Sequence, residues 1–328
     1  MKKHKQLKDA LFFAIILILV LVILYSGLQI LESTVLYHGQ GDSGTIASKT
    51  VTVDGVPYFP RQDITVVLVM GIDRFGPAQS SGFYTNTGAA DVDVLLIFDQ
   101  TNRQVDMLYL NRDTMLTMPV LGMGGKEAGT YFGQLALAHT YGSGLEDSCE
   151  NTRKAISNFL GGIRIDYYVS MSMDTISILN DAVGGVTVNV TEDFSAVDPS
   201  IGMGQVTLMG QQAINFVRTR KDVGDQLTLT RIERQKEYIS GFAESLRRKQ
   251  ETDPGFLLSI HQQVDPYIVT NCSVSVLNSL LSKYASFTMG HILSPKGENV
   301  MGEEYFEFYV DEKDLERLVL RLFYAPKE

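Results

Sequence analysis

Aspartates stand at the ends of three apolar runs in this chain, and a cluster of arginines follows about a hundred residues later. Asp73 comes after ITVVLVMG (64–71) in the stretch MGIDR, and Asp91 and Asp93 open DVLLIFD (93–99). Arg112-Asp113-Thr114 closes QVDMLYLN (104–111). Strand ends that follow buried runs can converge at one edge of a sheet. Carboxylates gathered there are hard oxygen ligands, suited to Mg²⁺ (or Mn²⁺) that keeps several waters and also grips a phosphate. Asp equally caps turns for local reasons, so each one alone says little.

The arginines carry more weight. FVRTRKDVGDQLTLTRIERQKEY (216–238) presents Arg218, Arg220, Lys221, Arg231, Arg234 and Gln235. Arg231 and Arg234 are three apart and Gln235 is four from Arg231, so on a helix they share a face. Thr230 and Glu233 fit a capping box opening a helix from about Arg231 to Arg248, whose first turns favour an anion. Arg218 and Arg220 can face one ligand only if their stretch is extended. Residues 218–236 hold six basic against three acidic side chains, inside a chain whose formal charge is −10. A merely solvated face would use Lys as readily as Arg, whereas Arg offers a planar fork for phosphate. The cluster therefore reads as a phosphate or pyrophosphate site.

These groups need a scaffold, and the pattern around them supplies one. The runs 64–71, 93–99 and 104–111 read as strands, the last two joined in a hairpin through TNR. GLEDSCENTRKAISNFLGG (144–162) reads as a helix stopped at Gly161-Gly162. IDYYVSM (165–171) is a strand, 173–185 a short helix closed by glycines, and VTVNV (186–190) a strand. YFEFYV (305–310) is a strand, and Asp311 caps a final helix over about 312–323. The glycine-rich stretches 122–129 and 200–204 read as loops. Alternating strands and helices without internal repeats predict a single three-layer αβα domain with a mixed central sheet.

Leu11 to Leu31 is almost wholly apolar, and about 20 such residues span a hydrocarbon core of about 30 Å. Four Lys against one Asp in the first ten residues leave the remainder at −13 and place the N-terminus in the cytoplasm. The expected organisation is a cytoplasmic tail (1–10), one transmembrane helix (11–31) and a stalk with an edge hairpin (32–62). An extracellular domain over 63–328 follows. Outside the cell, Cys149 and Cys272 can pair, closing a loop of about 120 residues worth roughly 4–5 kcal/mol in the chain-entropy model. The acidic balance argues against a nucleic-acid partner, which requires a basic face. A Walker loop, a serine-hydrolase elbow and a zinc-protease helix motif are all missing, and the five His are not spaced for zinc.

At these residues the sequence resembles the LytR-CpsA-Psr family. The matching stretches are MGIDR, the Asp of ADVDVLL, LNRDT, LAHTYG (137–142), IDYYVSM, DAVGGVTV (181–188) and GQQAINFVRTRK with the later RIERQ. They come in the family's order over about residues 64–240, behind the single anchor it favours. The resemblance implies a membrane-bound enzyme on the outer face. It moves an anionic glycopolymer from a polyprenyl-pyrophosphate lipid onto peptidoglycan, forming a phosphodiester.

Carried over by position, Asp73 and Asp93 match the Mg²⁺-holding pair and Arg112 an arginine near the pyrophosphate. Arg218, Arg220, Arg231, Arg234 and Gln235 match the pyrophosphate clamp. Arg112, Asp113 and Arg220 are the residues expected nearest the chemistry, with Asp91 or Asp113 accepting the proton. Two positions depart from the family: Asp91 stands where many members carry a basic residue, and Ala136 where many carry Lys. His139 is open to a structural or a catalytic role. An apolar tunnel for the lipid tail is expected between sheet and helices, and residues 250–328 are expected to complete the fold. The same groups also suit a pyrophosphatase or a wall-polymer receptor without turnover.

Overall fold

Apolar runs such as Leu95–Phe98 need partners on both faces, and a six-stranded sheet provides them. The computed structural model describes residues 50–326 except 54, 220–221, 225–227, 254–255, 257–259, 261–262, 273–275, 277–279, 281–282 and 285–286. The expected cytoplasmic tail, transmembrane helix and residues 32–49 of the stalk lie outside the described residues. Among those described, no helix is long and apolar enough to cross a membrane.

The chain runs through β1 (Val51–Val53), β2 (Val56–Pro60), β3 (Ile64–Ile72), β4 (Ala90–Asp99), β5 (Gln104–Leu110), β6 (Met115–Leu121) and β7 (Glu127–Gln134). A 3-10 turn over Leu135–Thr140 leads to α1 (Glu146–Phe159), β8 (Tyr167–Ser172), α2 (Asp174–Ala182), β9 (Val186–Val190) and β10 (Gly204–Leu208). Next come α3 (Gln211–Arg218), α4 (Thr228–Thr252), β11 (Ile268–Thr270) and β12 (Thr288–Leu293). The chain closes with β13 (Gly297–Met301), β14 (Phe306–Val310), α5 (Glu312–Phe323) and β15 (Tyr324–Pro326).

The central sheet has the order β11-β8-β3-β4-β5-β12. β3, β4 and β5 form an antiparallel meander, while β8 joins β3 and β12 joins β5 in parallel, so the sheet is mixed as expected. Side chains alternate between two cores. Leu68, Met70, Leu95, Ile97 and Leu108 face a cluster with α1 and α5. Val67, Val94, Leu96, Phe98 and Met107 face the other way, onto Val276, Leu280 and Tyr284. Phe98 and Tyr284 stack with ring centres 4.5 Å apart. Each such fully buried Leu or Ile stabilises the fold by about 1.5–3 kcal/mol before entropy is counted. A third cluster lies beside the sheet, where α2, α3 and α4 enclose the β9–β10 hairpin around Val186, Phe194, Phe216 and Phe242.

Several expectations hold locally. Gly161 adopts φ +80° at the end of α1, and Gly162 donates its N–H to Ser157 O at 2.7 Å. Asp311 caps α5 by accepting from the N–H groups of Lys313 and Asp314. The edge hairpin is β1–β2, and β15 pairs with β2 from the far end of the chain.

Others need correction. Residues 127–129 of the expected loop 122–129 belong to β7 of the hairpin β6–β7. Helix α4 begins at Thr228, so Thr230 lies inside it instead of capping it. Cys149 and Cys272 are both free and buried. Cys149 packs on the α1 face of the sheet and Cys272 on the opposite face, so the sheet separates the two thiols. Burial pushes each thiol up to about 12.

Candidate functional site

Because β3 and β5 both run antiparallel to β4, the end of β3, the start of β4 and the end of β5 meet at one edge of the sheet. That edge carries Asp73, then Asp91 and Asp93, then Arg112 and Asp113.

Asp73 leaves β3 with its N–H donated to Ala89 O at 2.9 Å. Its side chain meets α3, whose last residue Arg218 donates Nη2–H to Asp73 Oδ1 at 2.7 Å. The pair is partly exposed, and the Arg218 guanidinium also lies 5.8 Å from the centre of the Phe75 ring. A cation at a helix C-terminus is favoured by the helix dipole as well.

Asp93 sits between Met70 of β3 and Leu110 of β5 and is completely buried. Neither of its oxygens has a hydrogen-bond partner. Burial first, and then the neighbouring Asp91, push its carboxyl well above the usual range, while Arg112 acts the other way. Such a group is stable only with a proton or beside a cation.

Arg112 donates Nη1–H to Asp91 Oδ1 at 2.5 Å and lies with Nε 3.5 Å from Asp113 Oδ1. Its carbonyl accepts the N–H of Ala136 at 3.0 Å. Asp113 Oδ1 also accepts from Gln134 Nε2 at 3.1 Å, and the same amide donates to Phe306 O at 2.8 Å. The β13–β14 hairpin is thus fastened to the site, reinforced by Phe308 N–H on Asp113 O at 2.8 Å.

The arginine cluster divides. Arg234 is buried, contrary to a place in the phosphate clamp. Its Nη1–H goes to Phe216 O at 2.9 Å, Nη2–H goes to Thr219 O, and Nε lies 2.7 Å from Glu192 Oε2. The guanidinium stacks 5.2 Å from the Phe194 ring centre. Arg234 therefore ties α4 to the end of α3, on either side of Arg218 in sequence. Arg220 lies outside the described residues. Arg231 and Gln235 belong to α4, but their side chains lie outside the described set. Arg218 ends a helix and Thr219 turns extended, where sequence spacing required extension from Arg218 onward.

His139 has a structural place. It is buried, with Nδ1 2.7 Å from Gly88 O. Burial lowers its pKa to about 4, so the ring is neutral and Nδ1–H donates to that carbonyl. Asn86 completes the link, donating Nδ2–H to the carbonyls of His139 (2.8 Å) and Gly142 (2.9 Å). The turn Leu135–Thr140 therefore grips both sides of the sheet edge, Gly88 next to Ala89 and the carbonyl of Arg112. Asn86 and Gln134 escaped the sequence reading, since single amides carry no periodic or motif signal. The partners Gln134 and Phe306 stand 172 residues apart.

No group of three or more His, Cys, Asp and Glu suited to a metal occurs among the described residues. The edge offers instead one orphaned, buried carboxylate (Asp93) and a second, partly exposed one (Asp73). That fits Mg²⁺, which takes one or two carboxylates and completes its shell with waters and substrate phosphate.

A cavity of about 350 Å³ lies on the face of the sheet where Val276, Leu280 and Tyr284 pack, lined also by Thr65, Asp166, Tyr167 and Lys283. Thr65 is at the opposite end of β3 from Asp73, about 26 Å away at the usual strand rise.

Residues 34–322 match the model of the LytR_cpsA_psr family. The chain is similar to the polyisoprenyl-teichoic acid–peptidoglycan teichoic acid transferase TagU of Oceanobacillus iheyensis. The two are 26% identical over 295 residues, covering 87% of this chain and 84% of that one. Two solved structures share the fold. TagT bound to LI-WTA superposes with TM-score 0.57 at 21% identity, covering 84% of this chain and 94% of that one. Bacillus subtilis TagV gives 0.57 at 23% identity, covering 80% and 96%.

Proposed function

The chain belongs to the LytR_cpsA_psr family, and on that footing we propose that it transfers a glycopolymer from a polyprenyl-pyrophosphate carrier to peptidoglycan. Support comes from the name of the TagU relative and from one feature of the fold. Three adjacent strands deliver Asp73, Asp91, Asp93, Arg112 and Asp113 to a single edge, and α3 brings Arg218 onto it.

The pyrophosphate lies along this edge, with Arg218 on the Asp73 side and Arg112 on the β5 side, and Arg220 is assigned to the same clamp by its place in the sequence motif. Arg218 and Arg112 are each paired with a carboxylate. A phosphate that draws them off gains two forked, charge-assisted contacts at preset positions. Asp73 and Asp93 hold Mg²⁺ or Mn²⁺, which when bound supplies neutralising charge on the phosphate oxygens. Arg231 and Gln235 extend the clamp from α4.

In the transfer, the acceptor hydroxyl oxygen bonds to the phosphorus that carries the glycopolymer. The bond from that phosphorus to the bridging oxygen breaks, and polyprenyl phosphate leaves with the bond's electron pair. The hydroxyl proton passes to Asp91 or Asp113, the two carboxylates around Arg112, and from there to water. Little covalent work falls to the protein, so positioning and charge account for the acceleration. Residues 11–31 anchor the chain in the cell membrane, with residues 63–328 on its outer face, where carrier and wall meet.

The test uses the full-length chain with lipid-linked glycopolymer, Mg²⁺ and purified peptidoglycan. Covalent attachment of the polymer, with polyprenyl phosphate released in equal amount, is the expected result. Release without attachment means a pyrophosphatase. Binding with neither means a receptor.

A further inference from the structure

Two exposed apolar surfaces flank the sheet edge, one on each side of β4. Phe75 lies on the Asp73 side, against Arg218. On the Asp113 side, Phe132, Met301, Tyr305 and Phe306 are each between 50% and 65% exposed. These four belong together. Phe132 and Gln134 share a face of β7, being two apart on a strand. The Gln134 amide bonds both Phe306 O and Asp113 Oδ1. Met301 is the cross-strand partner of Phe306, and Tyr305 closes a turn by accepting the Gly302 N–H at 2.9 Å. We propose that this ledge is the docking surface for the acceptor glycan of peptidoglycan. The assignment rests on the transferase reading above and says where the second substrate lies.

Three observations select a glycan for this side. First, displacement at phosphorus places the attacking and leaving oxygens roughly in line, on opposite sides of the transferred group. Arg218, assigned above to the carrier's pyrophosphate, stands on the β3 side at Asp73, which leaves the β5 side for the acceptor. The ledge is bonded to Asp113 on that side.

Second, the turn at the ledge's tip carries exposed Glu303 and Glu304, with Glu307 just beyond. An acidic rim repels an anionic membrane surface and a polyanionic donor, and it accepts hydrogen bonds from sugar hydroxyls and amides. Third, flat aromatic faces beside hydrogen-bonding groups suit pyranose rings, whose axial C–H groups stack on them while the hydroxyls reach the rim.

The experiment uses the full-length chain and two probes, an undecorated GlcNAc–MurNAc oligosaccharide and polyprenyl pyrophosphate. Saturation-transfer NMR on the oligosaccharide reports glycan binding, and thermal shift reports lipid binding. In Phe132→Ala/Phe306→Ala, glycan binding should weaken at least tenfold. The KM for the acceptor should rise by a similar factor, with lipid binding and melting temperature unchanged. Phe132→Tyr/Phe306→Tyr should restore both, because the stacking faces return.

Unchanged glycan binding and acceptor KM in the alanine variant overturn the ledge while leaving the transferase intact. Loss of lipid binding with glycan binding kept also overturns it and assigns the surface to the carrier. Glycan binding at the ledge in a protein that transfers nothing supports the surface and defeats the transferase reading.

Discussion

Arg218 Nη2 lies 2.7 Å from Asp73 Oδ1, joining residues 145 positions apart at the mouth of the sheet edge. The pair is partly exposed, so its value to stability is about 0–1 kcal/mol. Its value to transfer is expected to be far larger. Arg218→Ala should cut turnover by about 10²–10³-fold while moving the melting temperature by no more than about 2 °C. Arg218→Lys should recover only part of the loss, since an ammonium lacks the fork. A melting temperature that collapses together with turnover would assign Arg218 to the scaffold.

Arg234 should behave in the opposite way. Removing its buried guanidinium leaves Glu192 and two carbonyls without partners, a change that typically costs about 3–5 kcal/mol. Arg234→Ala is expected to lower the denaturant midpoint strongly. An Arg234→Ala protein that is stable yet inactive would instead make this residue a phosphate ligand.

His139 sets a pH dependence of stability. Its folded-state pKa of about 4 lies below the unfolded value, so folding favours the neutral ring. This contribution is fully present above about pH 6.5 and is lost as pH falls toward 4, by about 3 kcal/mol in all. His139→Asn places an amide N–H near the position of Nδ1 and should flatten that part of the profile while keeping turnover. His139→Gln places its amide nearer Nε2, so it should lose turnover through a loosened Gly88. Equal behaviour of the two variants would show that the hydrogen bond to Gly88 does not matter.

Asp91 holds Arg112 at 2.5 Å and raises the carboxyl of Asp93. Asp91→Asn should free the guanidinium for the donor and lower the donor KM by about three- to tenfold at low salt. The gain should shrink at high ionic strength. A salt-independent change, or a higher KM, would mean that the carboxylate is needed to aim Arg112.

The two cysteines should each take one alkyl group when the denatured, unreduced protein is treated with iodoacetamide. Reductant should leave the melting temperature unmoved. A mass showing no adduct would restore the disulfide.

Much of the scaffold was legible because its signal is local. ITVVLVMG and DVLLIFD are buried on both faces and read as strands on composition alone. Hairpin β6–β7 was not, because most of β7 is exposed and its alternation carries no hydrophobic contrast. Helix α3 has eight residues and docks through Phe216 and Val217, a tertiary contact that propensity does not foresee. At the site, residue type located the carboxylates and the arginines but could not sort them. Arg218 and Arg234 look alike in sequence. Only the carbonyls at the end of α3 and the carboxylate of Glu192 decide that one is buried scaffold while the other reaches the edge.

The β3–β4–β5 meander has a consequence for assembly. Asp73, Asp91, Asp93, Arg112 and Asp113 come from 41 consecutive residues joined by neighbouring antiparallel pairings, contacts of low sequence separation. Arg218 reaches Asp73 only after the segment bearing α3 has been made and fastened by Arg234. A chain emerging from its N-terminus therefore has the residues of its carboxylate edge, with Arg112, before the helix that carries Arg218 has been made.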